Sequence, residues 1–174
     1  MDYQGQLADY DTRILTLAVL KGVLSAHGTE SVSYVNAPQL AEARGIDVQE
    51  SRTAAAHDYV NLITLRGDGH SLAGSLFGLR DEARLVMVDD HTVDIPPARH
   101  MVFVRNDDRP GMIGLVGATM GRAGINISDM DVGRSPAGVA ALMVLSVDRA
   151  LPPEVAAELR AADGILHVAT VNQA

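Results

Sequence analysis

The apolar positions of this chain follow two rhythms. In residues 11–28, "DTRILTLAVLKGVLSAHG", Ile14, Leu17, Ala18 and Leu24 recur at helical spacing with Lys21 on a neighbouring face. Asp11 is placed to cap this helix and Gly28 to close it. A strand is expected before it, from Tyr3 to Leu7, and "NAPQLAEARG" predicts a second, short helix with Pro38 in its first turn and Gly45 at its end. The period then changes to two. "YVNLITLR" and "SLAGSLFG" flank Gly67-Asp68-Gly69, and "RLVMV" and "TVDI" flank Asp89-Asp90-His91, which predicts two hairpins. "IPPAR" (95–99) marks a boundary, because neighbouring prolines cannot continue a strand interior.

Beyond Arg99 the pattern predicts a strand over 100–105 and a helix over 110–123. A strand in "INISDMDVGR", a turn from Ser135 to Gly138 and a strand in "VAALMVLSV" follow. A proline-opened helix in "PPEVAAELRAAD" and a last strand in "ILHVATV" complete the order. The order βαββαβ is that of the ferredoxin-like fold, a four-stranded antiparallel sheet with two helices on one face. Its other face and its edges are expected to meet solvent or a partner. The fold class is therefore α+β, in two domains, 1–97 and 98–174.

Composition narrows the function. With 47% hydrophobic and only 3% aromatic residues, the core must be aliphatic. A formal charge of -8 argues against nucleic acid, whose phosphates demand clustered Lys and Arg. No cysteine is present, which excludes disulfides and thiol chemistry and fits a reducing compartment. The longest apolar run, "ILTLAVL", is too short to span a bilayer, and a cytoplasmic protein is expected. After Met1 the chain enters a strand-like pattern directly, as a fragment of a longer protein would. The six histidines lack metal-ligand spacing, so no metal site is expected. Ser75 lacks the preceding glycine of a nucleophile elbow, and no Gly-x-Gly-x-x-Gly or P-loop is spelled.

The chemistry concentrates in "NDDRPGMIGLVGATMGRAGIN", residues 106–126. Each glycine inside a helix costs roughly 1 kcal/mol against alanine, so Gly114, Gly117 and Gly121 need a reason. They lie near one side of the predicted helix, and a smooth side lets another backbone approach. Gly124 falls where a left-handed C-cap is required. Pro110 suits the first helical position and leaves the N–H groups of Gly111, Met112 and Ile113 free to receive a carboxylate. Asp108 could pair with an ammonium group, and Asn106 and Asn126 each offer a donor and an acceptor. An α-amino acid carries that pair of charges. The alternative is that Asp107 or Asp108 caps the helix and Asn126 shapes a turn.

This stretch resembles the ACT domain, an amino-acid-sensing module, in its Asp-Arg-Pro-Gly start, its Gly-Ile-Asn exit and its βαββαβ order. "YQGQLADYDTRILTLAVLKGVL" and "VSYVNAPQLAEARGI" are similar to the intervening domain found in the long form of the D-3-phosphoglycerate dehydrogenase family, an allosteric substrate-binding type of domain. The resemblance implies the regulatory part of an NAD-dependent oxidoreductase of serine biosynthesis. No cofactor is expected in this chain, and NAD is expected in catalytic domains upstream. It implies L-serine, or a similar small amino acid, bound between paired ACT domains of a homo-oligomer, as an allosteric feedback inhibitor. The matching contacts are Asn106, Asp108 and Asn126, the last reaching in from a neighbouring subunit; Asn106 stands where relatives have a ring. An anion site of the intervening domain is matched by Arg84 and His91, while other expected basic positions read Thr92, Pro97 and Ser146. Two other readings remain: an amino-acid sensor of another enzyme, such as an iron-sulfur serine dehydratase, and a pure oligomerisation module.

Overall fold

A computed structural model describes residues 1–26, 31–56, 58–135, 138 and 140–173 of the chain. Contacts divide it into two compact units, Met1–Gly69 and His70–Ala174.

In the first unit, β1 (Asp2–Gly5) lies between β2 (Ser51–Thr53), parallel to it, and β3 (Asn61–Gly67), antiparallel to it. The first strand stops short of Leu7. Gly5 takes φ +86° where a Cβ would overlap the Val60 carbonyl oxygen, and Gln6–Asp9 then coil into a 3-10 turn. Helix α1 (Arg13–Ser25) starts one residue later than a cap at Asp11 requires, although Asp11 Oδ1 still accepts the Arg13 N–H at 3.1 Å. Its expected closure at Gly28, like His27 and His57, lies outside the described residues. Helix α2 (Ala37–Ala43) carries Pro38 in its first turn. It ends at Gly45, φ +69°, where Ile46 N–H returns to the Ala41 carbonyl at 2.8 Å, as a left-handed C-cap requires. Leu20, Leu24, Ala37 and Ala41 form the core between the two helices.

The second unit begins with the meander β4 (His70–Phe77), β5 (Glu82–Val88) and β6 (His91–Ile95), antiparallel throughout. Asp68 and Gly69, which close the first unit, both take left-handed φ, 52° and 79°. The ferredoxin-like part comes next, as expected: β7 (His100–Asn106), α3 (Met112–Arg122), β8 (Ile127–Arg134), β9 (Ala141–Val147), α4 (Pro153–Ala161) and β10 (Ile165–Asn172). The sheet order is β10-β7-β9-β8, all antiparallel. Val104, Met143 and Leu145 of the sheet meet Val116 and Met120 of α3 and Leu159 of α4 in an aliphatic core. Gly138 N–H closes the turn to Ser135 at 2.9 Å; residues 136, 137 and 139 lie outside the described residues.

The helix-free face is not left wholly to solvent. Val88, Val93 and Ile95 of β5 and β6 pack on Met101, Leu142 and Val144, which groups this meander with the strands beyond Pro96 and Pro97. The approach is close: a Cβ at Gly133 would overlap the Thr92 carbonyl oxygen and lie 2.9 Å from Val93 Cγ1. Gly133→Ala is therefore expected to cost about 1–3 kcal/mol, the range for overpacking a filled contact. Differential scanning calorimetry should register a Tm lowered by roughly 2–10 °C.

Candidate functional site

The cavity of interest, about 550 Å³, opens where the sheet end meets the start of α3. Strand register builds its floor. Ala141 is paired with Asn106 on one side and with Arg134 on the other, so three residues form one row across β7, β9 and β8. Val132 and Met143, which face the helices, continue that floor. The small Ala141 side chain leaves room between its two polar neighbours.

The wall is the loop from Asp108 to Met112 with Ile113. Asp107 N–H donates to the Gly164 carbonyl at 2.8 Å, and Arg109 binds Asp163 at 2.5 Å, so the loop is tied to the turn before β10. The Arg109 hydrogen bond, and then its charge, hold the Asp163 carboxyl below the usual carboxylate range. Gly111, not Pro110, stands at the N-cap, with φ +95°, which only glycine adopts without strain. Pro110 thus lies just ahead of the helix. A glycine cap has no side chain to offer, and neither Asp107 nor Asp108 caps α3. The first helical bond runs from Leu115 N–H to Gly111 at 2.9 Å, leaving the N–H groups before it at the positive end of the helix dipole.

Three further polar features converge there. The Asp108 carboxylate lines the cavity, with its Oδ2 3.3 Å from Arg134 Nε. Asn106 is only 2% exposed; its Nδ2 donates to the Asp107 carbonyl at 2.6 Å, while its Oδ1 accepts no hydrogen bond among the described residues. A buried acceptor left open costs roughly 1–3 kcal/mol. The cavity thus unites Asn106, Asp108, Gly111, Met112 and Ile113, and adds Arg134, which sequence reasoning missed. The signal available was strand alternation, which sets Arg134 on the same face as Val132.

Asn126 is elsewhere. It is exposed beyond the far end of α3, where its N–H donates to Asp148 Oδ1 at 3.0 Å and its carbonyl accepts from Asp148 N–H at 3.1 Å. Between the two ends, a Cβ at Gly114, Gly117 or Gly121 would meet nothing within 4 Å, so among the described residues no contact calls for these glycines. Gly124, φ +67°, is the expected left-handed C-cap, and Ile125 N–H returns to the Met120 carbonyl at 3.0 Å.

Arg84 and His91 are not brought together. Arg84 points toward the exposed acids Asp94 and Glu82, at 3.6 and 4.0 Å. His91 is turned inward, 2% exposed, with Nδ1 2.9 Å from Asp90 Oδ1. The Ser135 hydroxyl donates to Asp90 and, with the His91 and Arg105 charges, holds its carboxyl below the usual range. Among the described residues no cluster of His, Asp and Glu could hold a metal ion, and no helix is long and apolar enough to cross a membrane.

Residues 1–89 match the family described as D-3-phosphoglycerate dehydrogenase intervening domain, and residues 100–164 match the ACT domain. Among similar curated proteins are D-3-phosphoglycerate dehydrogenases of a Synechocystis species, 38% identical, and of Archaeoglobus fulgidus, 36% identical, each match covering 97% of this chain. That of Methanocaldococcus jannaschii is 34% identical over 98% of the chain. The chain spans only 31% to 33% of the length of these relatives, their C-terminal part. With an intervening domain followed by an ACT domain, the chain belongs to the D-3-phosphoglycerate dehydrogenase family, as its C-terminal regulatory part.

Proposed function

We propose that this chain binds L-serine at the start of α3 and, as part of a cytoplasmic phosphoglycerate dehydrogenase, mediates feedback inhibition by that end product. The whole protein would oxidise 3-phosphoglycerate with NAD, held in domains upstream. One observation carries the reading: an uncapped helix start, the Asp108 carboxylate and the buried Asn106 acceptor share one cavity. An α-amino acid has the matching groups, a carboxylate for the N–H groups and an ammonium for Asp108. The match of residues 1–89 favours this parent enzyme over a sensor belonging to an iron-sulfur serine dehydratase. The cavity's charged lining favours a ligand-binding role over oligomerisation alone. We draw the domain boundary at 97/98, between the two family matches, and assign no anion site to Arg84 and His91, which face different surroundings.

Binding is proposed to be completed by Asn126 of a second copy. Small relatives such as glycine and alanine are expected to bind more weakly than serine, since they leave hydroxyl partners unused. Asp108→Ala is expected to weaken serine binding by about 1.5–3 kcal/mol, the range for hydrogen bonds to charged groups. Isothermal titration of both proteins is the test, and equal uptake would remove Asp108 from the site.

A further inference from the structure

We infer that Arg134 is a carboxylate anchor: an amino acid binds by inserting between Asp108 and Arg134, which line one cavity with their charged groups 3.3 Å apart. The inference rests on the amino-acid reading above and adds to it the group that reads the ligand's anionic end.

Two arginines line the cavity, and they are not equivalent. Arg109 is held by Asp163 at 2.5 Å, and its guanidinium lies against Gly164, so its charge is spent outside the cavity. Among the described residues Arg134 pairs with Asp108, and its side chain is 78% exposed. An ion pair of this exposed kind contributes little, and opening it costs little. A zwitterion placed between its members turns one contact into two, ammonium to Asp108 and carboxylate to Arg134, with no change of net charge.

Dimensions agree. Neighbouring strands lie about 4.8 Å apart, so Asn106 and Arg134, two strands from each other across Ala141, stand roughly 10 Å apart. The Ala141 methyl leaves the span between them open for a small ligand. The guanidinium fork takes a carboxylate with both oxygens, or shares it with the adjacent N–H groups of α3. An independent sign of a donor-bearing ligand is the Asn106 Oδ1, buried at this floor without a partner among the described residues.

The ligand class follows: α-amino acids with a free carboxylate, to the exclusion of their amides. L-serine and L-serinamide would be titrated calorimetrically into the 174-residue chain and its Arg134→Gln and Arg134→Lys variants, at about pH 6 where α-amines are protonated. The wild type is expected to prefer serine over serinamide by at least ~10-fold, and Arg134→Gln to lose ~10- to 100-fold for serine, as charged hydrogen bonds of this kind imply. Arg134→Gln should bind serinamide much as the wild type does, so the preference collapses, and Arg134→Lys should restore part of it. A serine affinity unchanged or raised in Arg134→Gln, or an unchanged preference, overturns the anchor and leaves the amino-acid reading standing. No serine uptake by the wild type overturns both.

Discussion

L-serine at one hundred times its dissociation constant is expected to lower the dimer dissociation constant of this chain by about four orders of magnitude. Helix length sets this expectation. Helix α3 has 11 residues, Met112–Arg122, roughly 16 Å at 1.5 Å per residue. Asp108 precedes it and Asn126 follows it, so one chain cannot set both on one small ligand. Two antiparallel copies of α3 related by a two-fold axis bring each start beside the other's exit and make two equivalent sites. If serine binds only the dimer, each site contributes RT ln(1 + [L]/Kd), about 2.7 kcal/mol at that concentration, and two sites about 5.4 kcal/mol. Sedimentation velocity across a dilution series, with and without serine, measures the shift. Identical association curves would sink the shared-site account.

The second large effect is expected from Gly117→Leu, which should fold, melt higher and fail to pair. A Cβ there would meet nothing within 4 Å among the described residues, so the first atom of the new side chain has open space. Leucine is also a better helix former, by up to about 0.8 kcal/mol. In a dimer, the same side chain would stand where the partner's helix must approach, and we expect at least a hundredfold weaker association. Stability and pairing thus move in opposite directions, which a merely destabilising substitution cannot imitate. A Gly117→Leu protein that sediments as the wild type does would leave the glycines without a function.

Several features were legible because their causes are local. Periods of 3.6 and 2.0 depend on which residues are adjacent in the chain, so α3, β8, β9 and β10 lie close to where the apolar pattern sets them. Gly45 and Gly124 end helices because a left-handed residue is needed there whatever lies around it. The open glycine side of α3 is likewise a property of one helix, and Asn106, Asp108, Gly111, Met112 and Ile113 gather because they fall within eight residues of the chain. Tertiary structure decided what depends on residues far apart. Strand β2 is three exposed residues with no period of their own, ordered by pairing with Asp2, Tyr3 and Gln4. The start of α3 shifted past Pro110 where the loop before it is tied to Gly164 and Asp163. The apolar side of β5 and β6 announced burial but not its partner, which is the sheet face carrying Leu142 and Val144. Arg134 reached Asp108 through register, because Ala141 pairs with both Asn106 and Arg134, and no local pattern encodes which residues three strands set side by side.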